Sequence, residues 1–130
     1  MNAYRFAGIA AALFGVITLF EGGRMVFGGP EVWAAAGNVV PWVLYFNFTA
    51  GFVYVVTGLL TLFQHPNSKK LALVLAVANA VVLVSLGVYA AMGGLFELRT
   101  MAAMGVRTVF WSVQAVVLSH VFKQSSGAPR

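Results

Sequence analysis

The run LALVLAVANAVVLVSLGVYAAMG, residues 71–93, carries no charged side chain along its whole length. Coiled as a helix at ~1.5 Å per residue, it is long enough to cross a hydrocarbon core ~30 Å thick. Three further stretches have the same character: residues 4–22, 42–63 and 101–122. The hydrophobic fraction is 61% and the charged fraction 8%, too little charge to solvate the surface of a globular domain this size. The expected fold is therefore all-α: one transmembrane domain over residues 1–123, built as an integral membrane four-helix bundle, with a disordered tail at 124–130. No small-x-small cleavage signal closes the first apolar run before Glu21, which reads as a retained helix.

Between the first two spans, Gly28-Gly29-Pro30-Glu31 and Gly37-Asn38 bracket a short segment. Proline at a helix start and Gly-Asn at its end predict a short interfacial helix over 30–36. Trp33 and Trp42 fit the aromatic level of the headgroups. Gly22-Gly23 and Gly28-Gly29 read as helix breakers, and no strand precedes them as a phosphate loop requires.

Four spans place the N-terminus, the turn at Lys69-Lys70 and the C-terminus on one side. That side holds Arg5, Lys69, Lys70, Lys123 and Arg130 without an acid, and so carries the whole net charge of +5. The positive-inside rule makes this face cytoplasmic, giving N-in and C-in. The bias opposes a dual-topology transporter. With its alanine, glycine and valine richness the chain reads as a multi-pass protein of a bacterial inner membrane. No basic stripe with interleaved aromatics points to nucleic acid.

Helical spacing separates the faces. Asn47, Gly51, Tyr54, Gly58, Thr61 and His65 form one line on the second span, and Thr100, Met104, Arg107, Trp111, Gln114 and Leu118 form another on the fourth. Gly8, Ala12 and Gly15 on the first span, and Ala76, Ala80, Gly87, Ala91 and Gly94 on the third, provide small residues for close packing. Phe14, Phe20, Phe46, Phe48, Phe52 and Phe63 are expected to face lipid or fill gaps.

An arginine inside an apolar span requires an explanation, because near the bilayer centre it costs about 2.5–3.5 kcal/mol on insertion scales. Arg5 and Glu21 are separated by the same stretch as Arg107 and Lys123, ~24 Å at ~1.5 Å per residue. If Arg5 and Lys123 mark the inner boundary, Glu21 and Arg107 lie level just inside the outer one, with Asn47 beside them. Glu21 is off the small-residue line of its helix, and unwinding at Gly22-Gly23 would bring it inward. Three readings follow: a Glu21–Arg107 ion pair held for folding, an Arg107 that snorkels to the headgroups, or a ligand-engaging cluster. The candidate ligand-binding residues are Glu21, Arg24, Asn47, Glu97, Arg99, Arg107 and Trp111. Tyr54, Asn79 and Gln114 lie deeper, as interhelical hydrogen-bonding glue or as a polar track.

No nucleophile–base pair is visible, and there is no metal-ligand set, since His65 and His120 fall at the cytoplasmic ends away from the three carboxylates. Cysteine is absent, so thiol redox chemistry and disulfides are excluded. The pattern Arg5…Gly8…Gly15, with Asn47-Phe48-Thr49-Ala50-Gly51 through Gly58-Leu59-Leu60-Thr61, resembles the DoxX-like group of small four-helix membrane proteins. That resemblance covers the first two-thirds of the chain and implies a membrane subunit of a quinone-linked oxidoreductase or a thiol-related redox system. The segment from Glu97 to Arg107 has no counterpart in it. The residues themselves point first to a non-catalytic component: a partner subunit, or a binder of a lipid- or quinone-like molecule at an outer-leaflet charged site. A small proton-coupled transporter working as a homo-oligomer is the alternative. In every reading the lipid bilayer is the solvent, a membrane protein partner is admissible, and quinone is the one cofactor to consider.

Overall fold

In a computed structural model, residues 2–127 are described, with side chains described up to Val121. Five helices occur in order: α1 (Ala3–Phe27), α2 (Gly29–Ala36), α3 (Pro41–Leu62), α4 (Asn67–Ala91) and α5 (Leu98–Gly127). No strand occurs among the described residues. The four long helices are each long and apolar enough to cross a membrane.

Local chemistry sets the ends. The Asn2 side chain caps α1 by accepting from the Arg5 amide at 2.9 Å. α1 does not break at Gly22-Gly23 but continues to Phe27. A Cβ at Gly22 would lie 3.1 Å from the Phe48 ring, so this glycine serves as a close-packing position and not as a helix end. α2 opens with Pro30 in its first turn and closes at Gly37, whose φ of +85° suits glycine. The Trp33 indole donates to the Met25 carbonyl at 2.7 Å, which ties α2 back to the end of α1. At the α3–α4 turn, His65 Nδ1 accepts from the Asn67 amide and the Ser68 hydroxyl donates to the His65 carbonyl. His65 therefore organises the turn. α5 stays helical to Gly127, into the stretch expected to be disordered, while residues 128–130 lie outside the described residues.

α1 packs on α3 and α4 on α5, while α3 meets α4 and α1 meets α5. One core joins all four: Tyr4, Ala7 and Ala11 from α1, Ala50 and Tyr54 from α3, Ala72, Leu75 and Ala76 from α4, and Trp111, Ala115 and Leu118 from α5. A smaller cluster of Val40, Val43, Leu86 and Met104 fills the other end. The expected inward lines on α3 and α5 are buried or half-buried from Asn47 to Thr61 and from Thr100 to Leu118, and His65 is exposed. On α4 the buried line instead runs through Ser68, Ala72, Leu75, Ala76, Asn79 and Leu86, leaving Ala91 exposed. Ala76 is common to both lines, and Leu86 packs with Met104 of α5 there. The outward faces are apolar: Phe6, Leu13, Ile17, Phe20, Val77, Val84, Val109 and Val116 are all more than half exposed. Such a continuous apolar exterior suits lipid and not water.

The α1–α3 seam depends on missing side chains. A Cβ on Gly58 would meet the Ala12 amide nitrogen at 2.5 Å and the Gly8 carbonyl oxygen at 2.9 Å, both backbone atoms that have no room to yield. A Cβ on Gly87 would meet nothing within 4 Å. Gly58→Ala should therefore destabilise the detergent-solubilised protein by about 1–3 kcal/mol, the range for overpacking. Gly87→Ala should be neutral or stabilising by up to about 1 kcal/mol. Thermal unfolding of the two variants side by side measures the difference.

Candidate functional site

The expected site residues fall into two groups at different depths. The first surrounds a cavity of about 610 Å³ where α1, α2, the α2–α3 link, α3 and the start of α5 converge. Five of the seven expected ligand residues line it: Glu21, Arg24, Asn47, Glu97 and Arg99. Thr100 and Asn38 join them, and Met25, Val40, Val43 and Leu44 supply apolar wall.

The segment after α4 folds back to build this cavity. Glu97 accepts from the Asn38 side chain at 3.2 Å and from the Asn38 backbone amide at 3.4 Å. Arg99 donates to the Ala36 carbonyl at the C-terminal end of α2, where the helix dipole favours a cation. Glycine at position 37 permits this approach, since a Cβ there would lie 3.0 Å from the Glu97 carboxylate carbon. Glu21 and Arg24 are exposed, and no hydrogen bond or ion pair among the described residues engages their side chains. Asn47 contributes a buried Oδ1 that accepts no hydrogen bond. A buried acceptor left unpaired costs about 1–3 kcal/mol, so Asn47 is poised for a donor.

The second group lies deeper and holds Arg107 and Trp111, the two expected ligand residues that the cavity does not include. Register along α1 and α5 fixes their level. Gln114 Nε2 donates to the Ala7 carbonyl at 3.1 Å. Seven residues further along each helix, in opposite directions, stand Phe14 and Arg107, and the Arg107 guanidinium lies 5.9 Å from the centre of the Phe14 ring. Another seven residues reach Glu21 and Thr100, both on the cavity wall. Arg107 therefore lies two turns, about 10 Å, below Glu21 and not level with it. The expected Glu21–Arg107 pair does not form a direct ion pair; the two sense each other only through space. Counting from Lys123 misplaced Arg107 because Arg5 and Lys123 are not level: with Ala7 beside Gln114, Arg5 stands near the level of Val116, and α5 runs on beyond it.

Around Arg107 the side chains interlock. Phe14 stacks on Phe110 at 4.4 Å and lies 5.6 Å from Tyr54. Tyr54 packs 4.9 Å from Trp111 and donates to Asn79 Oδ1 at 3.1 Å, while Asn79 Nδ2 donates to the Leu75 carbonyl at 2.8 Å. Tyr54, Asn79 and Trp111 are fully buried. The Tyr54 hydroxyl lies beside both Arg107 and Trp111, and its oxygen can accept from them while it donates to Asn79; Arg107 Nε, Trp111 Nε1 and Gln114 Oε1 are buried and make no other hydrogen bond. Sequence spacing marked Tyr54, Asn79 and Gln114 as interior and did not mark Phe14 as the partner of Arg107. No family model, curated protein or solved structure matches this chain.

Two outcomes follow. Tyr54→Phe leaves Asn79 Oδ1 without its donor and should cost about 0.6–2 kcal/mol, the range for interhelical hydrogen bonds in membranes; denaturation of the variant in detergent measures it. Glu97→Ala releases Asn38 and should raise amide exchange over residues 36–38 while leaving residues 50–58 of α3 unchanged, as hydrogen–deuterium exchange reads directly.

Proposed function

We propose that this protein is a non-catalytic, multi-pass membrane protein, a four-helix bundle that receives a lipid- or quinone-like amphipathic molecule at its charged outer end. The carrying observation is the cavity that gathers Glu21, Arg24, Asn47, Glu97 and Arg99 over an apolar wall. Glu97 and Arg99 are engaged by the α2–α3 corner and set the shape of the rim, while Glu21, Arg24 and the unpaired Asn47 Oδ1 face an incoming head group. A site with few placed polar groups and an apolar floor fixes the orientation of an amphipathic molecule and discriminates by its head.

The orientation in this reading is N-in and C-in, supported by the five cations without an acid at the Lys69-Lys70 end. The glycines that carry the DoxX-like resemblance, Gly8, Gly15, Gly51 and Gly58, are those at the α1–α3 seam. The resemblance is thus one of helix packing, and the proposal rests on the cavity.

Two experiments test the reading. The chain lacks cysteine, so single cysteines report sidedness cleanly. Met92→Cys should react with an impermeant maleimide in intact cells and Lys70→Cys only after permeabilisation; the reverse pattern would invert the topology. Native mass spectrometry of gently extracted protein should show a retained lipid-sized adduct that is lost in an Arg24→Gln/Asn47→Ala double variant. A bare protein in both preparations would remove the binding reading.

A further inference from the structure

The fold leaves both signs of charge open on one wall of the end cavity. Glu21 and Arg24 stand three residues apart on α1, close enough to meet, and both line the cavity. No ion pair or hydrogen bond among the described residues joins them or engages either side chain. Phe48 packs on Gly22, so Glu21 and Asn47, each one residue away, flank the same contact. Asn47 Oδ1 has no donor. The opposite rim is already committed: Glu97 accepts from Asn38, and Arg99 holds the Ala36 carbonyl. Arg107 takes no part. It lies two turns deeper, against Phe14 near the middle of α1 and beside Tyr54, whose partner Asn79 lies at the middle of α4.

This pattern discriminates among head groups. A quinone carbonyl accepts and does not donate, so it leaves Glu21 and Asn47 unanswered. A glycerol phosphate answers Arg24 but brings an anion to the Glu21 carboxylate with no cation of its own. A choline cation answers Glu21 by charge and has no N–H to give. A primary ammonium has three N–H donors for the carboxylate and the amide oxygen, and a phosphate on the same head answers Arg24. Residues three apart on a helix have Cβ atoms ~5–6 Å apart, and the two-carbon link of phosphoethanolamine spaces its opposite charges on the same scale. The rest of the cavity is apolar, with Met25, Val43 and Leu44 in its wall. An open apolar groove along α5, from Ala102 to Phe110, begins within one turn of Thr100 on that wall.

We propose that the end cavity selects a phospholipid with a phosphoethanolamine head group. Glu21 and Asn47 accept from the ammonium, Arg24 donates to the phosphate, and the apolar wall and the α5 groove carry the acyl chains. The proposal rests on the reading of this cavity as a site for an amphipathic molecule, and names the head it takes. Free phosphoethanolamine offers the same charges without the chains, and the apolar wall favours the lipid.

The test places the full chain in nanodiscs of phosphatidylethanolamine, phosphatidylcholine and phosphatidylglycerol in equal parts, with identical acyl chains, and reads the retained lipid by native mass spectrometry. Phosphatidylethanolamine should be retained over each of the others by about tenfold, the scale of one charge-assisted hydrogen bond. Its N-methyl and N,N-dimethyl forms should fall between it and phosphatidylcholine, in order, as N–H donors are removed. Glu21→Gln should erase the preference for ethanolamine over choline, and Arg24→Gln should lower retention of both. The Glu21 and Arg24 side chains are exposed, so neither change disturbs the core. Lys70→Gln, exposed at the opposite end, should retain lipid as the unaltered protein does. Free phosphoethanolamine at the same concentration should not displace the lipid; displacement would overturn the assignment to a membrane lipid. Equal retention of the three lipids, a preference for phosphatidylglycerol or an added quinone, or an unchanged preference in Glu21→Gln would overturn the head-group assignment. In those cases loss of the retained molecule in Arg24→Gln/Asn47→Ala would leave the cavity a site for amphipathic molecules. Retention of no lipid or quinone at all would overturn both readings.

Discussion

The interaction on which this structure turns is the placement of the Arg107 guanidinium against the face of Phe14, in the seam between α1 and α5. A cation at mid-depth costs about 2.5–3.5 kcal/mol on insertion scales, and a cation–π contact returns about 0.5–2 kcal/mol. The contact offsets part of the cost and leaves a remainder. The arrangement around Arg107 follows from this imbalance. Phe14 is pinned by Phe110, Tyr54 is pinned by Asn79 and Trp111, and the register of α1 on α5 is set by the bond from Gln114 to Ala7. A one-turn slip of α5 would move the guanidinium off the aromatic face and place an apolar residue against Tyr54.

The α1–α3 seam holds the frame for this arrangement. Glycines at 8, 15, 51 and 58 bring the two backbones close enough that side chains of one helix meet backbone of the other. That proximity places Tyr54 beside Phe14, and so beside Arg107. Packing of this kind substitutes for the hydrophobic drive that lipid does not supply. At the charged end, by contrast, polar contacts organise the chain. Glu97 and Arg99 hold the α4–α5 segment against the C-terminal end of α2, and a cavity remains between them and the exposed Glu21 and Arg24.

Much of this was legible from residue spacing, because helical periodicity is a local property. The inward lines through Tyr54 and Gly58 and through Arg107, Trp111 and Gln114 lie where a 3.6-residue repeat places them. So do the four apolar spans and the short helix before Pro41. Depth was not legible, because it depends on register between helices distant in sequence. Counting from Lys123 placed Arg107 level with Glu21, whereas the Ala7–Gln114 bond sets it two turns lower. The glycine pair at 22–23 misled for a related reason: its helix propensity is poor, but its packing against Phe48 outweighs that preference. Asn38 was read only as the end of α2, since nothing local announces a carboxylate arriving from residue 97.

The most direct measurement of the central claim is the depth of the α5 surface at the level of Arg107. Val109 faces outward within one turn of Arg107 and is 64% exposed, so a nitroxide on Val109→Cys samples that level without disturbing the core. In phosphatidylcholine vesicles, electron paramagnetic resonance should show high accessibility to oxygen and low accessibility to a water-soluble nickel complex, the profile of the bilayer centre. A nickel accessibility equal to that of a label at the headgroups would contradict the account, because it would return Arg107 to the interface, where no mid-depth cost calls for the Phe14 contact.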